Sequence, residues 1–198
     1  MSRIRTEPRD VSADVYETLN GFEPLAAAAD VDVESFLAED AHALADPGAV
    51  RQIVLNLLDN AVKYGPRGQT VTVRVAHDSE RIIVSVEDEG PGIPAADRQR
   101  IFEPFARLER AGAPRVSGAG IGLAVVRDLV AAHSGRVWVE DGEGTDGSPR
   151  GTRVSFSLPA VTRAAADDAS RATNGERASA ESTDPVTRDE PLAEGALP

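Results

Sequence analysis

"DPGAVRQIVLNLLDNAVKYG", residues 46–65, reads as one strong helix with two faces. Asp46 fits the N-cap, Pro47 the first turn and Gly65 the end. Val50, Ile53, Val54, Leu57, Leu58 and Ala61 recur at three- and four-residue spacing and form an apolar stripe. Gln52, Asn56, Asp59, Asn60 and Lys63 form the opposite stripe. At 3.6 residues per turn, Asn56, Asn60 and Lys63 project the same way. A solvated face accounts for such a stripe in most helices. Here Asn is a poor helix former, because its side chain competes with the backbone. Lys63 is also the only lysine among 21 basic residues. Lysine offers a compact point charge where arginine offers a planar fork. One small cation beside phosphate oxygens, with Asn amide oxygens as hard ligands for Mg²⁺, would use these types. From these residues alone both readings stand open.

Outward from this helix, residues 12–29 read as a helix that Gly21 and Pro24 weaken. Residues 31–36 and 42–45 read as short strands. "TVTVRVA" (70–76) and "RIIVSVE" (81–87) alternate and form an antiparallel pair. A short helix follows Pro94, residues 104–118 read as a long loop, and 120–133 as a second strong helix. "RVWVE" (136–140) and "TRVSFSL" (152–158) read as a closing hairpin. Interspersed strands and helices imply a sheet covered by helices on one face.

The chain has 198 residues and is 41% hydrophobic but only 4% aromatic, so its core must be mainly Leu, Val, Ile and Ala. A net charge of −12 argues against nucleic acid or an anionic membrane as a partner. The absence of cysteine removes disulfides, thiolate zinc sites and a Cys nucleophile, and fits a cytoplasmic location. Met1–Asp10 lacks the apolar core of a signal peptide, and no run approaches the ~20 apolar residues of a membrane helix. Residues 1–9 read as a linker, 10–160 as one domain, and 161–198 as an acidic tail expected to be disordered for want of apolar surface.

Two glycine stretches carry further chemistry. In "VEDEGPGIP" (86–94), Asp88 ends a strand and Gly90 and Gly92 follow. Such glycines permit positive φ and close backbone approach to a ligand, and the carboxylate can accept from an exocyclic amine such as that of adenine. An ordinary Asp/Gly/Pro turn explains the stretch equally well. In "SGAGIGLAVV" (117–126), Gly118, Gly120 and Gly122 run into a helix, an arrangement suited to phosphates. No Gly-Lys-Ser/Thr follows, so it is not a P-loop. "RGTRVSF" (150–156) adds a Gly–Thr at a strand start that carries no weight alone.

Taken in order, "NLLDNAVKY", "DEGPGI", "FEPF", "GAGIGLAVV" and "GTRVSFSLP" resemble the N, G1, F, G2 and G3 boxes of the histidine-kinase ATP-binding domain, a member of the GHKL superfamily. The match covers residues 46–159. It implies the Bergerat fold, an α/β (α+β) sandwich: a mixed, mostly antiparallel sheet of about five strands, about three helices on one face and a lid over ATP. By matching position, Asn60 would be the principal Mg²⁺ ligand and Asn56 a second. Lys63 would touch the phosphates and Tyr64 would pack near the adenine. Asp88 would bind the adenine amine, with Gly90, Gly92 and Ile93 lining the pocket. Phe102 and Phe105 would flank the lid, and Arg107 would reach a phosphate. Gly118, Ala119, Gly120, Ile121, Gly122 and Leu123 would hold the phosphates, and Thr152 would support the adenine end.

The GHKL hydrolases carry a Glu one helical turn before the metal-binding Asn, where it activates water. The matching residue here is Asn56, which has no useful basicity. The resemblance therefore implies transfer of the ATP γ-phosphate to a histidine within a two-component phosphorelay. None of His42, His77 and His133 sits in a phosphoacceptor motif, and all three read as structural or surface residues. The expected partners are thus a phosphoacceptor-His domain in trans and, downstream, a response regulator, with the chain itself a monomer. The alternative is a nucleotide-sensing binding module without transfer.

Overall fold

The computed structural model describes residues 4–108, 119–143 and 149–163. The described chain runs β1 (Glu7–Asp10), α1 (Val11–Ala28), β2 (Asp32–Leu37), β3 (His42–Ala45), α2 (Pro47–Tyr64), β4 (Thr70–Asp78), β5 (Arg81–Asp88), two short 3-10 turns (Ala95–Asp97 and Arg100–Phe102), α3 (Gly122–Ala132), β6 (Val137–Glu143) and β7 (Pro149–Pro159). Five strands form one mixed sheet in the order β2-β4-β5-β7-β6. Its β2–β4 pair is parallel and the other pairs are antiparallel.

Alternation sorts the sheet into two faces. Register aligns Leu37, Val75, Val84, Phe156 and Val137 in one row across all five strands. Ser35, Val73, Val86, Val154 and Val139 form the next. These rows face the core, where Val84 and Phe156 have no exposed surface. The opposite face carries Thr72, Glu87, Arg153 and Glu140 in one row, with Arg153 Nε donating to Glu87 at 2.8 Å. The helices cover the apolar face. All six residues of the α2 stripe are buried, and they pack in the same core as Val11, Val15 and Phe22 of α1 and Val126 and Val130 of α3.

The structure revises several sequence expectations. Residues 7–9, expected to lie in a linker, form β1 together with Asp10 and pair with β3 as a two-stranded sheet. Helix α1, by contrast, follows the expectation of a helix over 12–29 and runs through Gly21 and Pro24, with Phe22 and Ala26 on the same turns buried in the core. The helix expected after Pro94 is only two 3-10 turns. His77, expected in a hairpin turn, lies in β4. Gly65 ends α2 with φ −81°, so no left-handed conformation demands a glycine there. Of the tail expected to be disordered, 161–198, residues 164–198 lie outside the described residues. At its described start, Val161 N–H donates to His42 C=O at 2.9 Å. Among the described residues no helix is long and apolar enough to cross a membrane.

His133, expected to be a structural or surface residue, is 3% exposed and joins two helices. Its Nε2 accepts from Asp46 N–H at 3.0 Å, and its Nδ1 lies 2.7 Å from Leu129 C=O. An acceptor Nε2 requires the neutral ring, with its proton on Nδ1. The same Asp46 caps α2, its Oδ1 accepting from Ala49 N–H at 3.1 Å and its Oδ2 from Arg5 N–H at 3.0 Å.

The backbone N–H of Arg5 holds the Asp46 carboxyl below its ordinary pKa, against the opposing effect of burial. A carboxyl whose folded pKa is depressed stabilises the fold above the unfolded value near ~3.9 and loses that contribution as pH falls through the lower folded value. Asp46→Ala is therefore expected to cost about 1 kcal/mol in urea unfolding at pH 7. The gap to wild type should narrow when the comparison is repeated below pH ~3.

Candidate nucleotide site

Strand β5 delivers Asp88 to one end of the sheet, opposite Thr152 of β7. Asp88 Oδ1 accepts from Gly90 N–H at 2.7 Å and from Thr152 N–H at 3.2 Å. Two backbone donors, one in the loop after β5 and one in β7, thus fix the direction of this carboxylate. Thr152 is 6% exposed. Space around Asp88 is made by glycine. Gly151 has φ +82°, and a Cβ there would lie 1.7 Å from Asp88 C=O. Gly92 has φ +72°, with Gly151 C=O 3.2 Å from its missing Cβ. Ile93 is half-buried against the core. Asp88, Gly90, Gly92, Ile93 and Thr152 are therefore brought together as the sequence suggested.

The polar stripe of α2 leads away from this corner toward α3. Asn56 Nδ2 donates to Gln52 C=O at 2.9 Å. Its Oδ1 lies 3.2 Å from the position a Cβ on Gly122 would take, so the stripe abuts the start of α3. Among the described residues no side chain caps that helix end. Uncapped N–H groups and the helix dipole favour an anion there. Asn60 Nδ2 is buried and has no hydrogen-bond partner among the described residues. An unpaired buried amide costs roughly 1–3 kcal/mol, which a ligand would recover. Neutral amide oxygens at Asn56 and Asn60 also suit a hard cation shared with phosphates. This donor set fits Mg²⁺.

Other candidates sit at the rim. Lys63 pairs with Asp59 one turn earlier, both side chains substantially exposed. Such a pair is worth only ~0–1 kcal/mol, so the ammonium can exchange Asp59 for a phosphate at small cost. The Tyr64 ring is half exposed, and its backbone C=O lies beneath Gly90. Phe102 is buried, whereas Phe105 is 73% exposed. Phe105 N–H donates to Gly120 C=O at 2.9 Å, joining residues on either side of the expected lid. Gly120 adopts φ +68° there, with no room for a Cβ beside Phe105 and Ala106. Arg107, Ala119 and Ile121 are exposed, and Leu123 is partly buried. Gly118 and the rest of the expected lid, 109–118, lie outside the described residues.

Sequence reasoning gave two residues no role. Gly151, noted only as part of a Gly–Thr at a strand start, lies inside β7, a position that signals close backbone approach. Gln69 is 1% exposed beside the site, and nothing in its sequence neighbourhood marked it.

An α/β sandwich that carries a glycine-lined carboxylate at a strand end and an amide-rich face on a covering helix has the arrangement of a nucleotide-binding ATPase-type domain. Residues 45–162 match the family described as histidine kinase-, DNA gyrase B- and HSP90-like ATPase. The chain belongs to that family. It is similar to the adaptive-response sensory kinase SasA of Synechococcus sp. (strain JA-2-3B'a(2-13)), 44% identical over 115 residues, which cover 58% of this chain and 29% of that protein. The chain thus spans less than a third of that relative. Its fold is similar to that of a mycobacterial sensor histidine kinase, MprB, with a TM-score of 0.68 and 30% identity over 79% of this chain and 99% of that one. ShkA, solved in complex with AMPPNP, gives a TM-score of 0.65 and 30% identity over 81% of this chain and 32% of that one.

Gly151→Ala should combine a clash on Asp88 C=O with left-handed strain of about 1–3 kcal/mol. The expected result in chemical denaturation is a loss of stability at least that large. A shift below 0.5 kcal/mol would contradict the close approach.

Proposed function

We propose that this chain is the ATP-binding catalytic domain of a two-component sensor histidine kinase, passing the ATP γ-phosphate to a histidine on another domain or chain. The Asn60 amide carries this reading, because its buried Nδ2 has no hydrogen-bond partner among the described residues and it lies on the same helix stripe as Asn56, which abuts the start of α3. Asp88 would accept from the adenine amine, with Thr152 and Gly90 holding its carboxylate in place. Gly120 and Gly122, with the N–H groups of the first α3 turn, would receive the phosphates, and Lys63 would add a cation. Asn60 and Asn56 would hold Mg²⁺, which when bound offsets charge on the phosphate oxygens. Such transfer depends mainly on positioning and charge neutralisation. An imidazole nitrogen of the acceptor forms the new P–N bond, the bond to the ADP oxygen breaks, and the ring loses its proton to solvent.

The relatives that the chain resembles are sensor kinases, which supports a phosphoacceptor-His domain and a response regulator as partners. No catalytic acid or base is assigned within this chain, and Asn56 cannot act as one. The site residues thus bind and orient ATP, while the nucleophile comes from outside the domain.

Calorimetry with ATP, with and without Mg²⁺, tests the reading. Wild type is expected to bind more tightly with the metal. Asn60→Ala should raise the Kd about 10–100-fold and abolish the metal effect, as for a lost bond to a charged group. Lys63→Arg should weaken binding less than Asn60→Ala. Absence of binding at millimolar ATP would sink the proposal. Binding without phosphate transfer from labelled ATP to any supplied phosphoacceptor domain would favour the nucleotide-sensing module.

A further inference from the structure

Gln69 lies between the two ends of the site, in the turn from α2 to β4. It is among the largest fully buried side chains in the protein. Its Nε2 donates to Ala61 C=O at 2.9 Å, and its Oε1 accepts from Glu89 N–H at 3.1 Å. Ala61 follows Asn60 and precedes Lys63 on α2. Its carbonyl is also the one that accepts from Gly65 N–H at 2.9 Å. Glu89 N–H belongs to the peptide that leaves Asp88. One primary amide therefore joins the last turn of the metal-binding helix to the peptide beside the adenine carboxylate.

The surroundings are shaped to this side chain. A Cβ on Gly65 would lie 2.1–2.4 Å from the Gln69 carboxamide, although φ −81° would accept any residue. Gly65 is thus a glycine because Gln69 fills its space, not because its backbone needs one. A Cβ on Gly90 would lie 3.2 Å from Tyr64 C=O and 3.5 Å from Gly65 Cα, so the Asp88–Gly90 loop rests directly on the end of α2. The side chain must donate on one side and accept on the other. A carboxylate of the same shape would meet Ala61 C=O with an acceptor, and an apolar chain would leave two buried groups unpaired.

We propose that Gln69 is a positioning residue for nucleotide binding, setting the spacing and orientation between the Asp88 corner and the Asn60 face. The inference rests on the ATP reading above. Gln69 acts through the peptide after Asp88, so its loss should fall on base discrimination. Adenine presents an amine to Asp88 where guanine presents a carbonyl. Mis-set, the carboxylate would lose that preference, while phosphate contacts would persist.

The test measures Kd for Mg-ATP and Mg-GTP on wild type, Gln69→Met, Gln69→Glu and the double variant Gly65→Ala/Gln69→Ala, with thermal unfolding of each. Gln69→Met and Gln69→Glu are expected to raise the ATP Kd about tenfold, with a smaller change for GTP, so the ATP-to-GTP preference falls. Where a single variant fails to fold, the double variant carries the test. Its new Cβ occupies space vacated by Gln69, so its unfolding temperature should return toward wild type while the base preference stays low. Recovery of the wild-type preference along with stability would show a merely structural filler and overturn the proposal. Equal weakening toward ATP and GTP in folded variants would overturn it too. Failure of wild type to bind ATP would instead remove the nucleotide reading itself.

Discussion

The rotation of α2 about its own axis governs the rest of the molecule. Val50, Ile53, Val54, Leu57 and Leu58 are each no more than 2% exposed. Fully burying each such side chain is worth ~1.5–3 kcal/mol, so the stripe contributes on the order of 10 kcal/mol. That exceeds the ~0.7 kcal/mol per residue by which Asn is a poorer helix former than Ala. It also exceeds the ~1–3 kcal/mol of an unpaired amide at Asn60. With the apolar stripe locked against the sheet and α3 packed alongside, Asn56 and Asn60 can point in only one direction. Helix packing thus carries the cost of a polar face that local preference would disfavour.

What was legible follows from this. Local periodicity sets α2, β4, β5 and the β6–β7 hairpin, because each buries a stripe whose spacing is written in consecutive residues. β1 was not legible, since Glu7–Asp10 is polar and becomes a strand only by pairing with residues 42–45. The helix expected over 12–29 was legible despite Gly21 and Pro24, and the burial of Phe22 and Ala26 accounts for its continuing past them. At the site, Asn56, Asn60 and Asp88 were visible as residue types at telling positions. Gln69 was not, because its role arises from contacts to Ala61 and Glu89, 8 and 20 residues away. The charge state of His133 belongs to this group, as its partner Asp46 is 87 residues distant.

The two ends of the cleft are built from different materials. Around Asp88, backbone N–H groups and close-packed glycines fix a single carboxylate, and little there can move without displacing a strand. Near Lys63 the groups are exposed side chains in weak pairs, and the Phe105–Gly120 bond closes one junction of the loop leading to α3. On the proposed reading, a rigid base end and an adaptable phosphate end suit a ligand whose base stays the same while its terminal phosphate departs.

Asn56 gives the proposed chemistry its direction. Its amide N–H₂ donates to Gln52 C=O within its own helix, leaving Oδ1 turned toward Gly122. An amide oxygen can hold a cation or accept a hydrogen bond, but it cannot take a proton from water near neutral pH. Asp59, on the same helix face, is paired with Lys63. Under the proposed function, water beside the phosphates gains no activation from the polar stripe of α2, whereas an imidazole nitrogen arrives with an available lone pair. On the proposed reading, the same substitution of amide for acid that weakens hydrolysis preserves ATP for an incoming histidine.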